Sequence, residues 1–143
     1  MSARPPLSAP EALVCTMVLV AAADGGMSDR EIGVMAGVVQ TLPVFRDFTA
    51  DQLDTATDQA VRLLREEDGL QHAGQLIRAA LSPRLRETAY ALACEVVAAD
   101  LVQHGPTLDM LEFVRAELSL DPLISAAIER GARARHTRPE QGK

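Results

Sequence analysis

Val20-Ala21-Ala22-Ala23-Asp24-Gly25-Gly26-Met27-Ser28-Asp29-Arg30-Glu31 holds the end of one helix, a tight turn and the start of the next. Two adjacent glycines favour a turn over a continued helix. Ser28 followed three residues later by Glu31 has the form of a capping box, with Ser at N-cap and Glu at N3. Upstream, Leu13 to Ala23 is an apolar run, with Thr16 its one hydroxyl, that Pro10 and Glu11 open. Downstream, Ile32, Met35, Val38, Val39 and Leu42 recur at helical spacing until Pro43 stops the pattern.

The same stretch returns later in the chain. At an offset of 76 residues, Val20 to Asp24 overlays Val96-Val97-Ala98-Ala99-Asp100. With no gap, Ile32 then falls on Leu108, Met35 on Leu111, Val38 on Val114 and Leu42 on Leu118. A fixed offset over so many apolar positions reads as an internal duplication. Two related helical hairpins result, and packing them with approximate two-fold symmetry would bring the Asp24 and Asp100 turns near each other.

Between and beyond the repeats the signals remain helical. Thr49 with Gln52 forms a second capping box, opening a helix to about Glu66. Its Leu53, Ala56, Ala60, Leu63 and Leu64 mark a buried side. Asp51, Asp54 and Asp58 mark another, read as a solvated face or a contact for a basic partner. Further helices are expected over about Leu70 to Leu81, from Ser82-Pro83 to about Ala99, from Pro106 to Leu118, and from an Asp121 cap to near Arg135. The expectation is an all-α fold of about seven helices. Residues 1–10 form a Pro- and Ser-rich leading segment, 11–136 the helical domain, and 137–143 a basic tail.

Composition agrees with helices packed on helices. Hydrophobic residues make up 48% of the chain, yet the only aromatics are Phe45, Phe48, Tyr90 and Phe113. A core of Ala, Leu, Val, Ile and Met has high helix propensity and lets helix axes approach closely. Cys15 and Cys94 sit in apolar runs at no metal-like spacing, which reads as two buried thiols in a reducing compartment. The net charge of -6 is uneven: Arg130, Arg133, Arg135, Arg138 and Lys143 crowd the end, against Glu140 alone. The rest of the chain is strongly acidic and should repel phosphate backbones, so nucleic acid is not an expected partner. The apolar run at Leu13 imitates a signal-peptide core, but Glu11 precedes it and a near copy lies mid-chain. It is also too short to span a bilayer. Cytoplasmic residence without membrane insertion is the expectation.

The chemistry with most specificity lies at the first turn. Asp24, Asp29 and Glu31 place three carboxylates around it. Hard cations such as calcium, magnesium or manganese take oxygen ligands from carboxylates, carbonyls and water. The same acids also suffice as caps, since carboxylates at a helix N-terminus are stabilised by its dipole. The spacing is not that of an EF-hand loop. His72, His104 and His136 lack zinc-site spacing. No nucleophile elbow, phosphate loop or catalytic triad pattern appears, so no enzymatic activity is expected.

The string Ala21-Ala22-Ala23-Asp24-Gly25, with Ser28 and Glu31, resembles the Ala-Asp-Gly…Glu signature of TerB-like domains, carried once per helical half. Ala126-Ala127-Ile128-Glu129-Arg130 is similar to that family's last helix, and the resemblance covers roughly Glu11 to His136. It implies an all-helical fold shared with the N-terminal region of the DnaJ-type co-chaperone DjlA. It also implies a non-enzymatic, cytoplasmic role in tellurite and stress resistance, with protein partners among other tellurite-resistance proteins. A divalent cation at the acidic motifs is implied too. Carried over residue by residue, the ligands would be Asp24, Glu31 and Asp100. The second motif departs from the pattern, with Leu101 in place of Gly25 and Thr107 in place of Glu31. An alternative reading is a helical protein-interaction module with no bound metal.

Overall fold

The computed structural model describes residues 6–99 and 105–139. Seven helices account for most of them: α1 (Ala9–Ala21), α2 (Asp29–Thr41), α3 (Ala50–Arg65), α4 (Gly69–Ala80), α5 (Pro83–Ala99), α6 (Gly105–Leu118) and α7 (Pro122–Arg135). A single 3₁₀ turn, Pro43–Phe45, joins α2 to α3, and no strand occurs among the described residues.

α1 is the axis of the fold. A helix that is apolar on every side must be buried on every side, and all ten residues from Ala12 to Ala21 are. Thr16, the one hydroxyl among them, donates to the Ala12 carbonyl at 2.8 Å and so leaves no unmet donor. The helix starts earlier than Pro10. Ser8 is its N-cap: its hydroxyl accepts from the Glu11 amide at 3.2 Å, while Glu11 Oε1 accepts from the Ser8 amide at 2.8 Å. It also ends at Ala21, and Ala22 and Ala23 belong to the turn.

α3, α1, α5 and α7 pack in that order as a row, with α7 resting chiefly on α5. The two hairpins brace each other reciprocally, α2 lying against α5 and α6 against α1. α4 covers α1 and α3 and reaches α6. Phe45 closes the end of the α1–α2 hairpin at 2% exposure, its ring tilted against Phe48 with centroids 5.6 Å apart. At the opposite junction, Arg78 donates to Ser119 Oγ at 2.9 Å, and Arg86 donates to the Leu81 and Arg78 carbonyls. The two Arg86 bonds satisfy carbonyls near the end of α4. No helix among the described residues is long and apolar enough to cross a membrane.

The buried face of α2 differs by one residue from its apolar pattern. Met35 and Val39 are buried, but the residue completing their i, i+4, i+8 row is Glu31, while Ile32 is 48% exposed. The interior thus takes a carboxylate and leaves the adjacent isoleucine in solvent.

One glycine is required by close approach. A Cβ on Gly69, the first residue of α4, would lie 2.1 Å from the Leu63 carbonyl oxygen. Backbone cannot step aside as a flexible side chain can, so Gly69→Ala is expected to cost about 1–3 kcal/mol by overpacking. Urea unfolding followed by circular dichroism reads the loss. A variant as stable as wild type would mean that the α3–α4 corner relaxes freely.

Candidate functional site at the first helix turn

α1 stops because the chain turns on Gly25. Its φ of +109° is a conformation that L side chains rarely adopt, and Gly25 N–H closes the turn on the Ala22 carbonyl at 3.1 Å. The residues beyond it extend to Ser28, which caps α2. Ser28 Oγ accepts from the Glu31 amide at 3.1 Å, and Glu31 Oε1 accepts from the Ser28 amide at 2.7 Å. Both bonds of the capping box expected from sequence are therefore formed.

The three carboxylates of the turn occupy different surroundings. Asp24 and Asp29 are exposed, whereas Glu31 is 2% exposed with its Oε2 shielded from solvent. Burying a carboxylate is costly unless hydrogen bonds and favourable charge offset it. The Ser28 amide and the positive end of the α2 dipole supply part of that offset. The carbonyls of Val18, Val20 and Ala22 at the end of α1 already accept from Ala22, Ala23 and Gly25.

The repeat extends to this buried position. Thr107, which the offset of 76 pairs with Glu31, is 3% exposed in the first turn of α6. Both halves thus enclose a polar side chain at the head of their second helix, a carboxylate in one and a hydroxyl in the other. Ile32 and Leu108, paired by the same offset, are 48% and 44% exposed. Asp100 and Leu101 lie outside the described residues. Asp24 and Glu31 share one turn, and no three His, Cys, Asp or Glu side chains form a metal-holding group among the described residues. The donors described are hard oxygens suited to calcium, magnesium or manganese, and they are too few to complete a shell without carbonyls, water or a further residue.

A second polar cluster had no local signal in the sequence, because its members are 39 residues apart. Tyr90, 1% exposed on α5, donates its phenol proton to Glu129 Oε2 of α7 at 2.5 Å. Burial and this carboxylate both push the Tyr90 phenol up. Cys94 lies one turn further along α5, and burial pushes its thiol up to about 12. Together they floor a cleft of about 330 Å³ between α5, α6 and α7. Cys15, buried in α1, is likewise pushed up to about 12 by burial. Both thiols are free and stay protonated, as a pair of core residues would.

The remaining candidates are peripheral. Asp51, Asp54 and Asp58 are all exposed along α3. His136 lies 3.2 Å from Glu95, which also accepts from Arg135 at 3.0 Å, tying the end of α7 to α5. His72 is half-buried, and His104 lies outside the described residues.

A family model described as tellurite resistance protein TerB matches residues 10–129. The matched span runs from the first turn of α1 into the second half of α7. No curated protein and no solved structure matches the chain.

Proposed function

The chain belongs to the TerB family, and on that premise we propose that it acts without catalysis, as a helical adaptor in tellurite and metal stress resistance. Its first interhelical turn would hold a divalent cation through Asp24 and Glu31, with Asp100 as the ligand from the second half. The observation that carries this reading is the burial of Glu31, a carboxylate in an interior position that an isoleucine beside it declines. A cation there would cross-link the end of α1 to the start of α2 and bias how the two halves pack. Few protein charges with water completing the shell give affinities of about 10⁻⁴–10⁻³ M. The setting is the cytoplasm, and the partners are other tellurite-resistance proteins.

The capping box favours a second reading. Glu31 already serves the Ser28 amide, and a cap alone accounts for its place at N3. The protein would then be an interaction module with no bound metal.

Titration of ¹⁵N-labelled protein with calcium, magnesium and manganese separates the two. Saturable shifts at Gly25, Gly26 and Asp100 are expected, together with stabilisation of about 2.7 kcal/mol at a hundred times the dissociation constant. Both should be lost in Asp24→Asn, a surface change that spares the cap. Glu31→Ala should lose them too, at a further cost of about 1 kcal/mol from the cap. Flat spectra at millimolar cation would sink the cation site and leave the capped scaffold.

A further inference from the structure

The outward face of α7 is unusual for a surface helix. Solvent faces are normally charged or polar. Here Leu123 is 82% exposed and Ile124 38%, followed outward by Ala126, Ala127, Arg130 and Arg133. The helix has one acid, Glu129, and that is turned inward to Tyr90. The face is therefore apolar at its start and cationic at its end, on a protein of net charge -6.

The complementary surface lies at the other end of the row, along the seam between α1 and α3. A cleft of about 320 Å³ opens there, with Leu7, Cys15, Ala60 and Leu63 among its lining. Glu11 borders it and also borders an adjoining cleft that Asp51 lines. The seam thus offers a cleft of mixed lining over the second half of α3, where Gln59 and Arg62 stand beside the apolar side chains, and carboxylates over the first. The spacings agree. Ala60 lies nine residues from Asp51, or about 14 Å along the helix, while Leu123 lies seven and ten residues from Arg130 and Arg133, or about 10 and 15 Å.

We infer that α7 of one copy docks antiparallel on the α1–α3 seam of a second copy. Leu123 enters the cleft over the second half of α3, and Arg130 and Arg133 meet Asp51 and Glu11. The two surfaces occupy opposite ends of the α3–α1–α5–α7 row, so the contact is head-to-tail and propagates instead of closing as a dimer. This assembly is independent of the cation site.

Sedimentation velocity on the full chain tests it. Wild type should gain mass with concentration beyond a dimer, and added salt should weaken the gain. Leu123→Asp with Arg130→Glu blocks the α7 face, and Asp51→Arg with Gln59→Arg blocks the seam. All four positions are exposed, and circular dichroism checks that each variant folds. Each variant alone should be monomeric, and an equimolar mixture should form a one-to-one dimer and nothing larger, because each supplies the surface that the other lacks. Three results would overturn the inference: a wild type monomeric at millimolar concentration, a single-surface variant that assembles like wild type, or a mixture that stays monomeric.

Discussion

Replacing Met17 by alanine is expected to lower the unfolding free energy by about 3 kcal/mol, inside the roughly 2–5 kcal/mol span for such truncations in cores. Met17 is at 0% exposure in the middle of a helix that is buried all round. Part of the loss is the transfer free energy of the removed atoms. The rest is the cavity, and its size depends on whether neighbours can move in. α1 packs chiefly against α3, α4, α5 and α6, which are themselves held together by packing on it. No one of them can close the void without opening a gap elsewhere, which places the cost above the lower end of the span. Urea midpoints at constant slope measure it. A loss below about 1 kcal/mol would mean that the axis of the fold is loosely packed.

Alkali should act on the same core through its thiols. Cys15 and Cys94 are raised from an ordinary 9.0 to about 12 in the folded protein, chiefly by burial. Below pH 9 both states keep these protons, and the thiols add no pH dependence. Between 9 and 12 the unfolded chain releases protons that the native state retains, so stability falls as pH rises. The slope approaches about 1.4 kcal/mol per pH unit for each thiol. Tyr90, also raised, contributes with the same sign. Few other groups compete in that window, because the chain has one tyrosine and a single lysine, Lys143. Stability measured at pH 8, 9, 10 and 11 should be flat and then fall steeply. In the Cys15→Ala, Cys94→Ala variant most of that slope should vanish. An equally steep fall in the variant would assign the alkaline loss to other groups.

The fold was legible because its punctuation is local. Capping boxes at Ser28 and Thr49, the Asp121 cap and prolines at helix starts each act within a few residues, and the repeat fixes which helices form equivalent pairs. Ser8 and Glu11 have the same capping pattern, but the prolines around them mask it, so α1 begins earlier than its apolar run suggests. The turn at Asp24 and the bonds of Glu31 were likewise readable. The depth at which Glu31 sits was not. Apolar periodicity assigns the interior to Ile32, and a helix can rotate by one residue when the partner surface favours it. That preference belongs to α5 and the other half, not to α2. The Tyr90–Glu129 pair is a tertiary event of the same kind, set by how α7 lies on α5.

The burial of α1 by helices from both halves also bears on synthesis. α1 is synthesised before the helices that cover it: α5 begins 74 residues and α6 96 residues after α1 does. At about 5–20 residues per second the delay is roughly 5–20 s. Throughout it, an apolar helix with no polar face has only α2, α3 and α4 for shelter. The nascent chain is therefore expected to require a holding chaperone during that interval, and slow codons between the two halves would lengthen its exposure.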